Sequence, residues 1–416
     1  MKKLLALVLA AVMLLSFAAC GSNGDKLLGM SDAPIAAVEV KVDYEIPDDF
    51  KIGFICLHDE NSTYDLNFLN AVDAIQAATG LKDEQVIVKT NIGEDDACYN
   101  TAKDLATQGC DIIFANSFGH EAFMIKAAKE FPEVQFCHAT GTKAHTEGLD
   151  NYHNAFASIY EGRYLAGVAA GMKLKEMMAE DSTIVPKMGY VGAFTYAEVI
   201  SGYTSFYLGA KSIVPEVTMD VQFTGSWYDP TEEKNAAEAL IDKGCVLISQ
   251  HADSMGAPGA CEAAGVPNVS YNGATYESCP ETFIVSSRID WTPYYNYIIK
   301  CVVKGEKIDA DWCGGIAEGS VVLTGINQDV AAEGTADKIK EVVKGLTDGT
   351  IKVFDTKTFT VEGKELTSYT ADVDDMGDYA PDTEVVEDGS FNESVKRSAP
   401  YFDLKVDGIT RLNEKF

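Results

Sequence analysis

Basic residues are in short supply: 33 Lys and Arg face 64 Asp and Glu, for a formal net charge of −31. Nucleic-acid binding draws on a Lys/Arg surface to displace phosphate counterions, so this balance argues against a nucleic-acid partner and suits solubility instead. The ten cysteines contain no Cys-x-x-Cys pair. Several stand inside apolar strands (Cys56, Cys137) or at matched turns (Cys110, Cys245), which reads as small buried hydrophobes, with one bridge such as Cys261 to Cys279 left open. After the first twenty residues no run is long and apolar enough to cross a bilayer. There is no Gly-x-Ser-x-Gly elbow and no Asp-rich DxDxGxDD cluster near the first strand. Their absence weighs against a nucleoside-acting hydrolase, a reading in which Asp253 and His251 would form an acid/base pair. What remains is ordinary globular composition, 46% hydrophobic and 23% charged, in a chain of 416 residues, long enough for two full cores.

The first twenty residues stand apart. Lys2 and Lys3, the apolar run LLALVLAAVMLL and the small residues of SFAAC form an export signal. It resembles a bacterial lipoprotein signal, with Cys20 as lipid acceptor. Residues 21–48 show no clean period and read as a tether.

The body is organised by an internal echo. AKDLATQGC at 102–110 returns as AEALIDKGC at 237–245. An apolar strand precedes each copy, KIGFI from Lys51 and KMGYV from Lys187, and a buried strand follows each Gly-Cys turn, DIIFA and VLISQ. Strand, helix, strand, helix, turn and strand in that order predict a parallel α/β unit, here two of them. Two similar lobes imply a cleft. Ligands of open parallel sheets sit beyond the carboxyl ends of the strands, which marks the loops DENSTY, NSFG, HATG, TYAE, GSWYDP, QHADS and YNGA. Aromatic and hydrogen-bonding residues alternate there, as a flat polar ligand needs.

Further along, IDWTPYYNYIIKCVVKG predicts a helix, GSVVLTGI a strand, and KVFDTKTFTVEGKELTS two β runs around Glu362-Gly363. NAFASIYEGRYLAGVAAGM, rich in Ala and Gly, predicts a helix packed closely on a sheet, with Glu161 and Arg163 as a structural pair. ADVDDMGD at 371–378 faintly resembles a calcium loop, but Met376 and Thr383 stand where ligands should be. No metal or other cofactor is expected; His58, His138 and His251 with Asp59 would have to converge to hold one.

Long ordered strings carry a resemblance to a known family: NSFG at Asn116, AKEFPEVQFCHATG, YEGRYLAG, GYVGAF, EVISGYTSFYLGAKS, WYDPTEEKNAAEALIDKG, QHADS and WTPYY. Over roughly residues 50–330 the chain resembles the basic membrane lipoprotein family of solute-binding proteins, which includes purine nucleoside receptors of ABC transporters. The resemblance implies a type I periplasmic-binding-protein fold, with two Rossmann-like lobes of parallel sheet joined by a three-strand hinge. Lobe 1 would take 49–160 and about 289–325, lobe 2 161–288 and about 326–416. It further implies capture of a purine base or nucleoside by lobe closure without catalysis, delivery to permease subunits, and a monomer lipid-anchored to the outer face of the cytoplasmic membrane. The first loop, DENSTYDLNF, departs from the family pattern, which puts ligand identity in question; a sugar or amino acid is the alternative.

Within the marked loops, Trp227 offers an indole face to a purine. His251 and Asp253 could pair with ring N–H groups and nitrogens, because a desolvated carboxylate discriminates between hydrogen-bond patterns. Asp253 or Ser254 could equally cap a helix. Asn116, Ser117 and Phe118 occupy the counterpart loop. Asn61 and Tyr64 in the first loop, Asn272, and Trp291 at a crossing complete the candidates.

Overall fold

The computed structural model describes residues 30–373 and 383–414. The signal with Cys20, the first part of the tether and most of the calcium-like stretch lie outside the described residues.

Two sheets carry the fold. The first contains β1 (Ile52–Ile55), β2 (Val86–Lys89), β3 (Ile112–Ala115), β4 (Gln135–Ala139), β5 (Tyr152–Ala157) and, much later in the chain, β11 (Asp311–Gly314). Its order is β11-β5-β4-β3-β1-β2 and every pairing is parallel, Ile52 lying opposite both Val86 and Ile112. The second sheet uses β6 (Lys187–Gly192), β7 (Thr218–Phe223), β8 (Leu247–His251), β9 (Asn268–Tyr271), β10 (Phe283–Ile289), β12 (Val321–Leu323) and β13 (Ile409–Arg411) in the order β12-β10-β9-β8-β6-β7-β13. Only β12 runs antiparallel to its neighbour. Both sheets therefore share one five-strand order, second-first-third-fourth-fifth. That is the architecture the echo predicts. The repeated Gly-Cys turns superimpose in conformation as well, since Gly109 and Gly244 both sit at φ 84°, where an L side chain is strained.

The linking helices are α1 (Thr63–Thr79), α2 (Asp96–Thr107) and α3 (Glu121–Glu130) in lobe 1, and α4 (Ile159–Glu180), α5 (Ala197–Lys211), α6 (Pro230–Asp242) and α7 (Gly256–Ala264) in lobe 2. Then come α8 (Thr292–Lys304), whose Tyr295 and Ile298 join the lobe 1 core, and α9 (Thr335–Thr347), whose Ile339 joins that of lobe 2. Among the described residues the chain passes between the sheets three times, at β5 to α4, at β10 to α8 and at β11 to β12. These passages form the hinge.

Several details depart from the sequence reading. The Ala/Gly-rich α4 packs chiefly on another helix: a Cβ on Gly167 would run into the Phe206 carbonyl, and one on Gly209 into that of Tyr164, so α4 and α5 meet backbone to backbone. Glu161 and Arg163 do not pair. Glu161 accepts from the Ile316 N–H (2.9 Å), while Arg163 turns into the lobe 2 core. The two β runs around Glu362 form only isolated bridges, from Asp355 to Ser390 and from Val361 to Lys364 and to Val406, because their aromatics are recruited elsewhere. Phe354 stacks on Phe402 at 4.4 Å, with Phe359 beside it, closing lobe 2 under the C-terminal segment. Cys261 and Cys279 are buried free thiols, as are the other described cysteines except the half-buried Cys313.

Residues 30–48 contain no helix but are not loose. Leu323 N–H bonds the Ile35 carbonyl and Ser31 N–H that of Ile326 on the lobe 2 side; Tyr44 Oη donates to Asn296 Oδ1 (2.8 Å) on α8. Ile35 packs on the lobe 2 core, and Val40, Tyr44 and Ile46 on the lobe 1 core.

Candidate functional site

The loops that leave β1, β3, β6 and β8 converge between the sheets. Each pair flanks the point where strand order reverses, the place where open α/β sheets hold ligands. The space between them, ≈ 360 Å³ with its mouth, is lined by Leu57, Tyr64, Asp65, Ser117, Phe118 and Thr140 from lobe 1, and by Glu198, Trp227, His251 and Asp253 from lobe 2.

The lobe 1 wall is built around Asp65. Ser62 caps α1 by accepting the Asp65 N–H, and Asp65 in turn accepts from Ser62 Oγ (2.7 Å), the His58 N–H (3.1 Å) and Asn116 Nδ2 (2.7 Å). Its oxygens are committed to the fold. Asn116 also accepts the Leu57 N–H through Oδ1 (3.0 Å), and its carbonyl takes the Tyr64 hydroxyl (2.6 Å). Asn116 is thus a tie between two loops, with its amide turned into the protein. Ser117 donates to Glu94 (2.6 Å), and His138 Nε2 bonds the Ser117 carbonyl at 2.6 Å. Burial pushes His138 down to about 3, so the imidazole is neutral and the nitrogen facing the carbonyl carries the proton.

On the lobe 2 wall, Glu233 of α6 accepts the backbone N–H groups of Asp229 (3.1 Å) and Ser254 (3.2 Å). One buried carboxylate thereby fixes the loop that carries Trp227 and the loop that carries Asp253, and the Asp253 N–H bonds the Trp227 carbonyl (3.0 Å). Asp253 does not cap α7; Ser254 Oγ accepts the Gly256 N–H instead (3.0 Å). Oδ1 of Asp253 accepts from Asn272 Nδ2 (3.2 Å), leaving capacity on the carboxyl for another partner. Burial, then the nearby Asp65, Glu233 and Glu198, hold the Asp253 carboxyl well above the usual range. His251 points Nε2 at Glu198 Oε1 (3.5 Å) and lays its ring on Tyr271, centroids 4.7 Å apart.

Aromatic rings close the mouth. Trp227 meets Phe194 edge-on (5.0 Å), Phe194 stacks on Tyr196 (5.1 Å), and Tyr196 reaches across to Phe118 of lobe 1 (5.1 Å). His58 and Tyr228 make a second ring contact across the gap (5.3 Å). Backbone joins the lobes too: Thr63 N–H and Oγ1 both donate to the Asp253 carbonyl (3.0 and 3.2 Å), and Asn67 Nδ2 approaches Asn272 Oδ1 (3.4 Å). The two lobes are closed on each other.

Of the residues picked out from the sequence, Tyr64, Ser117, Phe118, Trp227, His251 and Asp253 come together on the cavity wall, with Asn116 and Asn272 directly behind it. Asn61 is exposed and bonded to Asp59 (2.7 Å). Trp291 is buried in the lobe 1 core, stacked on Phe68 at 4.6 Å. Four lining residues were not picked out: Leu57, Asp65, Thr140 and Glu198. Thr140 and Glu198 lie in two of the marked loops, HATG and TYAE. Asp65 had a signal in the Ser62-x-x-Asp65 spacing of a capped helix start.

None of the ten lining residues is Lys or Arg, while Asp65, Glu198 and Asp253 all face the space. Such a wall disfavours phosphates and carboxylates and suits a ligand that is neutral or rich in N–H and O–H donors.

A purine-binding protein of Brucella abortus is 33% identical over 341 residues, covering 78% of this chain and 93% of the relative. A putative ABC transporter glucose-binding protein, TsgA13 of Haloferax volcanii, is 37% identical over 224 residues, 54% of each chain. Among solved structures, an ABC transporter solute-binding protein from Conexibacter woesei matches with a TM-score of 0.60 at 20% identity, covering 73% of this chain and 98% of its own, a likeness of fold. The family model described as Bmp, ABC transporter substrate-binding protein PnrA-like, matches residues 55–357. The chain belongs to that family of ABC transporter substrate-binding proteins, which work outside the cytoplasm.

Proposed function

We propose that this chain captures a neutral purine, as free base or nucleoside, between its lobes and presents the closed form to a membrane permease. Cys20 carries the lipid anchor, and the receptor works as a monomer and without chemistry on its ligand. The observation that carries the reading is the pairing of ring faces (Trp227, Phe118, Tyr64) with an incompletely bonded buried carboxyl, Asp253, in a cavity without cationic side chains. A purine offers two flat faces and an edge of alternating donors and acceptors. Asp253 can meet that edge in either state, donating to a ring nitrogen as an acid or accepting from an N–H as a carboxylate. Because the wall is contributed by both lobes, a ligand bridging them draws the population toward closure. The Brucella relative named for purines supports this ligand class.

A sugar is the second reading, favoured by the Haloferax relative named for glucose and by the same aromatic walls. Thermal-shift titration of the soluble body with adenine, guanine, hypoxanthine, their nucleosides, glucose and common amino acids separates the two. A ligand at a hundredfold excess over Kd adds about 2.7 kcal/mol to native stability. Stabilisation by purines, lost in Trp227→Ala and Asp253→Ala, is the expected result. Silence with every purine alongside a shift with glucose or an amino acid would sink the purine reading and leave the receptor standing.

A further inference from the structure

Arg163 carries a charge that the fold alone does not call for. It opens the second turn of α4, just past the crossing from β5, and is 0% exposed. Nη2 donates to Tyr190 Oη (2.7 Å), Ser249 Oγ (3.2 Å) and the Gln250 carbonyl (3.4 Å), whereas Nε and Nη1 have no hydrogen-bond partner among the described residues. Among the described residues no carboxylate lies within ion-pair distance of it. Rings solvate it instead, with Tyr271 at 4.6 Å and Tyr190 and Phe206 at 5.4 Å. A buried, unpaired cation is poor value for stability, since an apolar residue of like volume would pack without the desolvation cost. Its surroundings point to another use.

The Tyr271 ring under Arg163 also carries the His251 ring at 4.7 Å, and His251 Nε2 faces Glu198 Oε1 at 3.5 Å on the cavity wall. On its other side His251 Nδ1 is buried without a partner, beside Gly202 of α5 and the Tyr190 hydroxyl. A protonated imidazole would carry a second N–H there, where no hydrogen-bond partner is in place among the described residues. We infer that Arg163 is a positioning residue of the cleft: through Tyr271 it holds His251 neutral with its one proton on Nε2, and that N–H orients the Glu198 carboxylate toward the ligand. In a neutral imidazole the placement of the proton follows the partner of each nitrogen, and among the described residues that partner is Glu198.

The charges facing His251 oppose one another. Burial disfavours the imidazolium most, Glu198 favours it, and Arg163 adds its charge to the side of burial, so that the net effect is a lowered pKa. Tyr190 and Tyr271 contribute neutral hydroxyls and rings. Across the cavity Tyr64 and Asp65 of α1, and next to it Asp253, complete the surroundings. Without the guanidinium, burial alone opposes the carboxylates. A unit charge under 10 Å away in a partly polar interior is worth roughly one pH unit to a titrating group.

The test does not need the ligand. Protein labelled at histidine is titrated by NMR between pH 4 and 8, with His251→Gln supplying the assignment, in wild type, Arg163→Met and Arg163→Lys. The His251 midpoint is expected to rise by about one pH unit in the Met variant and to return most of the way in the Lys variant, which keeps the charge but not the fork. Equal midpoints in wild type and Met variant overturn the inference, as does a Lys variant that behaves like Met, since geometry rather than charge would then be at work. If Arg163→Met does not fold, Arg163→Gln, which retains a donor for Tyr190, takes its place. A second arm rests on the purine reading: hypoxanthine and adenine affinity measured over the same range should fall at higher pH in Arg163→Met than in wild type. Loss of affinity by the same factor at every pH marks Arg163 as purely structural and overturns the inference. Absence of purine binding in wild type counts against the purine reading alone, because the titration arm stands without it.

Discussion

Glu233 offers a direct test of how the lobe 2 wall is built. It is fully shielded from solvent on α6, held by the backbone N–H groups of Asp229 and Ser254 and by the Ser254 side chain, and among the described residues no cation pairs with it. Burial raises its pKa from 4.5 to about 7, the hydrogen bonds only partly offsetting that cost. A carboxyl with a raised folded pKa lends stability that is fully present below its unfolded value and is lost as pH climbs through the folded one. Across the window from 4.5 to about 7 the loss amounts to on the order of 3 kcal/mol. Glu233→Gln keeps an acceptor oxygen for the two loops but cannot ionise, so it resembles the protonated form at every pH. Urea denaturation of wild type and Gln variant at pH 4.5, 6 and 8 should give nearly equal stabilities at the first and a widening advantage for Gln at the last. Glu233→Ala, by contrast, strands two backbone donors, at about 1–3 kcal/mol each, and releases the loops of Trp227 and Asp253 together. It should lose stability at all three pH values and weaken ligand binding at the same time. A Gln-minus-wild-type difference that does not change with pH would refute the electrostatic argument, and an Ala variant with normal affinity would refute the claim that this side chain sets the two loops.

Other predictions follow from single features. Glu393 is buried with Oε2 unpartnered and its carboxyl pushed up to about 8 by burial, so Glu393→Gln should raise Tm at pH 9 and leave it nearly unchanged at pH 4.5. Gly167→Ala forces a methyl into the Phe206 carbonyl and should destabilise by at least about 3 kcal/mol in urea, whereas Gly259→Ala, on α7 with open space around it, should be neutral or stabilising. A chain starting at residue 49 loses the half-buried Ile35, Val40, Tyr44 and Ile46 that span both cores. At roughly 1 kcal/mol apiece for partial burial it should be less stable by several kcal/mol than a chain starting at residue 30, and equal midpoints would show that this segment is only a tether.

The strongest sequence signals were those that repeat or alternate locally. The echo of Ala102–Cys110 in Ala237–Cys245 made two α/β lobes legible, because strand and helix periods and a left-handed glycine turn are properties of a few consecutive residues. The same logic placed the strand-end loops, and six of the nine candidate side chains drawn from them meet on the cavity wall. Trp291 shows where local reading stops. Its position at a crossing suggested the cleft, but only the packing of α8 on α1 decides that its ring stacks on Phe68 in the core. The aromatic-rich run around Phe359 likewise read as one of two β runs around Glu362, and the long-range partner Phe402 took its rings instead.

By itself, then, the sequence determined the lobes, their order of elements and the loops at the strand ends, since each follows from propensity and pattern over short spans. Tertiary structure alone decided which polar groups are spent on the fold and which remain for a ligand. Asp65 and Asp253 are the same residue type on opposite walls of one cavity, yet one accepts from Ser62, His58 and Asn116 while the other keeps an open valence toward the cavity. Part of the difference is local, in the Ser62 and His58 bonds to Asp65, and part arises from partners 51 and 19 positions away, brought near by closure of the sheets. No spacing along the chain encodes that second part, because burial and hydrogen-bond satisfaction are properties of the assembled interior.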